Sequence, residues 1–193
     1  MSFQVIRITS LVVFISIITF SGVSAEATCT IEDGIKFQSI ARSDNGDEES
    51  VEKAIECFEY LEQKMPENSR LLAYLGSSYT LKASYSESVA DKMRFTSLGF
   101  DNLDYAVELA PDDFEVRLIR WSVNEAVPWF FERDKYILGD LHKLDAIYQT
   151  APSPWMAEHM VGVYDALQQR EPENTKWKEF KTKVENRTNG STQ

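Results

Sequence analysis

Three times along this chain a stretch with helical period is halted by a proline and two polar residues: Pro66-Glu67-Asn68, Pro111-Asp112-Asp113 and Pro172-Glu173-Asn174. Proline removes a backbone donor, and its ring disfavours helix in the residue before it, so each triplet reads as a helix boundary. Between the stops, apolar residues recur at steps of three and four, as in Val51, Ala54, Ile55, Phe58, Leu61 and Met65. A short helix with an apolar stripe buries that stripe only against another helix. The punctuation therefore predicts an all-α chain whose helices pair and stack as a solenoid.

Around the stops the start signals are local. Thr30 caps a first helix over 31–41, and Ser43-Asp44-Asn45-Gly46-Asp47 makes a turn. Ser69 is expected to cap the helix after Pro66, and Ser153-Pro154 opens the helix bearing Met156, Met160, Val163 and Leu167. Pro128 ends another helix, and Trp129, Phe130 and Phe131 follow it as an aromatic corner before Ile137, Leu141, Leu144 and Tyr148 come into phase. Trp177, Phe180 and Val184 mark a last helix that covers the open end of the stack. The expectation is roughly seven helices in a single domain over 26–185, with 186–193 as a polar, disordered tail. Asn186-Arg187-Thr188 and Asn189-Gly190-Ser191 match glycosylation acceptors, a short and weak pattern in such a tail.

One register ties the middle of the chain together. Counting back from Pro66, Ala54 and Phe58 stand at small and aromatic positions; counting forward, Leu72, Leu75, Gly76 and Tyr79 form a Leu-x-x-Leu-Gly-x-x-Tyr run. Gly99, Leu103 and Ala106 stand in the same relation to Pro111. These residues resemble the tetratricopeptide repeat, and the resemblance implies an α-α superhelix of about three helical hairpins that binds partners on its concave face. Pro66 and Pro111 are 45 residues apart, against the family's 34. The surplus lies between Tyr79 and Gly99, where one elongated or kinked helix over 87–109 would absorb it. The stretches Lys92-Met93-Arg94-Phe95-Thr96-Ser97-Leu98-Gly99 and 103–120 also look like a group of exported bacterial repeat proteins with this same lengthened repeat.

The next helix, over 114–126, departs from the pattern. Leu118 and Trp121 lie on one side and Val116, Ile119, Val123 and Val127 on another, with Asp113, Arg117, Arg120 and Asn124 in a stripe between them. Either the register slips so that Leu118 and Trp121 enter the core, or a polar network is buried. Arg117, Arg120, Trp121, Asn124 and Trp129 are the candidate binding residues. Two guanidinium groups on one face would clamp a carboxylate or phosphate; the competing reading pairs them with internal acids such as Asp113 or Glu125.

The chain opens with Arg7, an apolar run from Ile8 to Phe20, and Val23-Ser24-Ala25, the pattern of a signal peptide cleaved after Ala25. An uncleaved anchor is the competing reading, but Ser10, Ser16, Thr19, Ser21 and Gly22 interrupt the run. The expected address is therefore export to a periplasm or beyond, with no stable membrane insertion after cleavage. Cys29 and Cys57, the chain's two cysteines, are expected to form a disulfide in that oxidising compartment.

Net charge falls from −11 to −12 once Arg7 is removed, and no basic stripe is present, which argues against nucleic acid as a partner. His142 and His159 lack metal-ligand spacing, and no nucleophile elbow or phosphate loop occurs, so no catalytic residue, metal or cofactor is assigned. Two functions fit: a non-catalytic exported adaptor that holds a protein or peptide partner on its concave surface, or a binder of small anionic solutes serving a transporter or sensor. An open groove would favour the first; a closed apolar cavity with an arginine at its base would favour the second.

Overall fold

Residues 29–190 are described by the computed structural model, and all regular structure among them is helical. Eight α-helices follow in order: α1 (Ile31–Ala41), α2 (Glu48–Glu62), α3 (Ser69–Tyr85), α4 (Val89–Leu109), α5 (Phe114–Ala126), α6 (Asp134–Thr150), α7 (Pro154–Arg170) and α8 (Lys176–Gly190). A 3₁₀ turn at Trp129–Phe131 stands between α5 and α6. That is one helix more than the sequence predicts. The expected leader and its cleavage site at Ala25 lie outside the described residues, as do the last three residues of the tail. α8 runs on to Gly190, past the boundary drawn at 185.

Side-chain caps set the helix starts. Thr30 and Asp33 close a reciprocal capping box at α1. Asp47, Ser88, Asp113 and Ser153 each accept a first-turn amide at the N-termini of α2, α4, α5 and α7. At α3 the cap is Asn68, whose Oδ1 accepts from Leu71 N at 3.0 Å, and Ser69 is the first helical residue. The expected cap at Ser69 is thus displaced by one residue, because the amide side chain of Asn68 already reaches the orphan N–H.

Each helix packs on its successor from α1 to α8, and α3 also touches α1 and α5. Three apolar clusters fill the joints: one among α1, α2 and α3 around Phe58, Leu71 and Leu75; one among α3, α4 and α5 around Leu72, Leu103 and Val116; and one from α5 to α8 around Leu141, Met160, Tyr164 and Trp177. Ala54, Phe58, Leu72, Leu75, Gly76, Tyr79, Gly99, Leu103 and Ala106 are all buried, whereas Pro66 and Pro111 sit exposed at the turns. At the α3–α4 joint the two glycines bring backbone against backbone. A Cβ on Gly76 would stand 2.7 Å from the Gly99 carbonyl oxygen, and one on Gly99 would stand 2.7 Å from that of Gly76. The surplus after Tyr79 is absorbed by extension of α3 to Tyr85 and by the 21 residues of α4.

At the N-terminal end, Cys29 and Cys57 form a disulfide with their Cα atoms 5.7 Å apart, fastening the arm before α1 to α2. At the other end Trp177 is fully buried, and its indole N–H donates to Glu171 Oε2 at 2.8 Å. No helix among the described residues is long and apolar enough to cross a membrane.

Candidate interaction trough and the arginine network beneath it

α5 lies between two apolar clusters, and its sequence shows both attachments. Val116 and Val123 face the cluster shared with α3 and α4, while Phe114, Leu118 and Trp121 face the cluster of α6 to α8. The stripe between them is buried as a polar network rather than displaced by a register slip. Arg120 is 7% exposed, Asn124 3% and Asp140 not at all. Arg120 donates from Nε and Nη2 to the two oxygens of Asp140 at 2.9 and 2.7 Å, and from Nη1 to Asp104 at 3.2 Å. Arg117 reaches Asp140 Oδ1 at 2.7 Å and the Pro111 carbonyl at 2.9 Å.

The third guanidinium comes from outside the stripe. Arg133, 7% exposed and immediately before α6, grips Asp104 with Nη1 and Nη2 at 2.8 and 2.7 Å and donates from Nε to Asn124 Oδ1 at 2.8 Å. Its guanidinium also lies over the rings of Phe100 and Tyr136 at 4.3 and 4.2 Å. Two carboxylates, one from α4 and one from α6, thus bind three arginines across α4, α5 and α6. Burial alone would disfavour the charge on Arg120, but the hydrogen bonds and charges of Asp140 and Asp104 outweigh it and raise the pKa above the usual arginine value.

The internal partners named from the sequence are otherwise engaged. Asp113 caps α5 through Val116 N, and Glu125 meets Arg170 at 2.8 Å. Asp104, Arg133 and Asp140 stand 16, 9 and 20 residues from the stripe positions they contact, too far for a periodicity argument to find. Two polar atoms in this region are buried with no hydrogen-bond partner, the Asn124 amide nitrogen and the indole nitrogen of half-buried Trp121.

What the network holds in place is the aromatic corner. Phe100, under the Arg133 guanidinium, meets Phe131 edge-on with centroids 5.5 Å apart. Phe131 packs on Phe130 at 4.7 Å, and Phe130 on Trp129 at 6.1 Å. Glu132, between Phe131 and Arg133, takes the left-handed conformation with φ 54°, which swings the chain from the corner into α6. The series ends in solvent: Phe130 is 56% exposed and Trp129 82%.

Beside this corner two open hollows of about 290 and 330 Å³ adjoin, sharing Thr80, Ser84, Ala126 and Val127. The first is lined by Arg42, Ser77 and Leu81 on one side and by Ser122 and Val123 of α5 on the other. The second is lined by Ala83, Val89, Lys92, Met93 and Thr96, and closed by Pro128, Phe130 and Phe131. Together they form a trough between the ends of α3 and α5 and the start of α4, with an apolar floor and hydroxyl groups along one end. Its charged lining consists of Arg42 and Lys92. The Arg42 guanidinium donates to Ser77 Oγ, and burial lowers its pKa from the ordinary arginine value.

Two other hollows are less selective. One of about 600 Å³ is polar, with Lys82 already paired to Glu48 and Glu52. One of about 460 Å³ lies at the α6–α7 turn beside Ser153, Pro154 and Glu158. Of the sequence candidates, then, Arg117, Arg120 and Asn124 come together in the network, Trp121 packs beside it, and Trp129 stands on the corner at the rim. Arg42, Val89, Lys92, Met93 and Phe130 were not singled out. Val89 and Met93 carry a readable signal: an apolar i, i+4 pair in the first turns of α4, where the stripe that continues through Thr96 and Leu103 is exposed rather than covered by another helix. Among the described residues, no group of three His, Cys, Asp or Glu side chains is placed to hold a metal ion.

Comparison of the chain with protein-family models, with curated proteins and with solved structures finds no significant match.

Proposed function

We propose that this protein is a non-catalytic, exported scaffold of the tetratricopeptide-repeat kind, which holds a segment of another protein in the trough between α3, α4 and α5. The observation that carries this reading is the exposure of Val89 (75%), Met93 and Phe130 around one open apolar floor, with exposed Trp129 packed on Phe130 just outside it. Exposed apolar side chains gathered at a single groove are the usual mark of a protein-binding surface. Underneath, a buried ionic network spends its hydrogen bonds on orienting the corner. Such preorganisation lowers the ordering cost of binding. Stacking of α1, α3 and α5 places Arg42, Ser77 and Ser122 on one face, in line with the concave surface the repeat resemblance implies. The disulfide supports export, since such bonds persist in oxidising compartments.

The solute-binding reading has less support. Arg117 and Arg120 are tied to Asp140 and Asp104, and neither arginine lines any of the four hollows. The test is site-specific photocrosslinking in the native host. A photoreactive residue at Met93 is expected to give a discrete protein adduct, whereas one at Tyr105, exposed at the far end of α4, is expected to give none. Equal labelling from both positions would refute the trough as the binding site.

A further inference from the structure

The charge of the trough narrows what enters it. The chain carries 31 acidic residues against 20 lysines and arginines, so a cation has no shortage of internal partners. Arg70, Lys82, Arg117, Arg120, Arg133 and Arg170 each meet at least one carboxylate. The two cations of the trough are not among these. Arg42 spends its guanidinium on a serine hydroxyl, and no carboxylate pairs with it or with Lys92 among the described residues. Nor does any acid line either hollow. An excess-acid protein thus presents an acid-free groove with one cation in each half and an apolar floor between them.

We infer that the occupant of the trough is an acidic segment of a partner protein, with apolar anchor side chains seated on Val89, Met93 and Phe130 and carboxylates on either side meeting Arg42 and Lys92. This rests on the reading of the trough as a protein-binding site and adds the chemistry of the partner. A basic segment would meet two like charges and find no acid in the lining. A neutral apolar segment would fill the floor but leave Arg42 and Lys92 half-covered and without a counter-charge, a costly arrangement for a charged group. At the Arg42 end the hydroxyls of Thr80, Ser84 and Ser122 already donate to the Ser77, Leu81 and Ile119 carbonyls, whereas Ser77 Oγ accepts from Arg42 and keeps its own proton for a carboxylate or a peptide carbonyl.

The experiment uses the full mature protein and three fluorescent synthetic peptides of one design, with Leu and Phe anchors separated by Glu, by Gln or by Lys. Anisotropy titration is expected to rank Glu above Gln by about tenfold and Gln above Lys, with the Glu advantage shrinking as salt rises. In the variant Arg42→Gln/Lys92→Gln the Glu peptide should fall to the affinity of the Gln peptide, the Gln peptide should be unaffected, and the melting temperature should not move. Equal binding of the Glu and Gln peptides would overturn the acidic assignment while leaving apolar docking in place. Tighter binding of the Lys peptide would overturn it outright. Failure of all three peptides with a persistent Met93 adduct would show a protein partner of different chemistry, whereas failure of both would remove the underlying reading too. A concentration-dependent dimer that no peptide displaces and that Phe130→Asp abolishes would make a second copy of this chain the occupant, again overturning the inference.

Discussion

Asp140 is the residue on which most of the buried charge depends. Fully buried, it accepts from Arg117 and twice from Arg120, so Asp140→Asn leaves two guanidinium groups short of a counter-charge. Removing one partner from a buried ion pair costs about 3 to 5 kcal/mol, and Arg120→Gln is expected to cost a similar amount. In a chain of this size that lowers Tm by roughly 10 °C, measurable by calorimetry. A shift within a degree of wild type would mean that the network is not structural. The stripe of Arg117, Arg120 and Asn124 was legible from its i, i+3, i+7 spacing, as was the choice between a register slip and a buried network. The partners were not. Periodicity orders residues around one helix, while Asp104, Arg133 and Asp140 arrive from neighbouring helices and are brought together only by packing.

Most helix boundaries were legible because capping side chains and prolines act within a few residues of the end they specify. Gly76 and Gly99 are legible as small residues of the repeat register, and the structure sets them against each other at the α3–α4 joint. Adding a methyl at Gly76 presses it against the Gly99 carbonyl and Leu103. Gly76→Ala should therefore destabilise by about 1 to 3 kcal/mol, despite alanine's higher helix propensity; a stabilised variant in a urea titration would contradict the α3–α4 geometry. The Cys29–Cys57 bridge, at a separation of 28 residues, should contribute roughly 3 to 4 kcal/mol on the chain-entropy account. Unreduced, denatured protein should accordingly show no free thiol, and finding two would remove the fastening of the arm to α2.

Another latch joins α6 to the start of α8. Glu171 takes the His142 ring nitrogen at 2.7 Å and the Trp177 indole at 2.8 Å. Partial burial works against its charge, yet the hydrogen bonds from Trp177, His142 and Asn174 outweigh it and hold the carboxyl below its ordinary 4.5. A carboxyl depressed by folding stabilises the native state above its unfolded pKa, and that contribution is lost as pH falls through the folded value. The Tm difference between wild type and Glu171→Gln should narrow below about pH 4.5. A gap that does not vary with pH would show that the latch does not depend on charge.

At the scale of the whole molecule, an all-helical chain with an apolar joint at each helix contact was readable from the pattern of stops, and the location of the binding surface was not. The trough draws on two stretches well separated in sequence, the turn from the end of α3 into the start of α4 and the end of α5 with the corner at Trp129–Phe131, which only packing brings together. The aromatic corner did stand out, because three consecutive rings exceed what one helix face buries, but which ring lines the groove depends on Glu132 and on the network below it. On the proposed function two roles are separate: buried arginines position the corner, and exposed apolar side chains would engage the partner. The measurement that tests this most directly is the yield of the Met93 photoadduct in a chain carrying Trp129→Ala and Phe130→Ala, read beside its Tm. The account predicts that the adduct is lost while Tm stays within about 2 °C of wild type, since exposed side chains contribute little to stability. An undiminished adduct, or a collapse of Tm like that of Asp140→Asn, would contradict it.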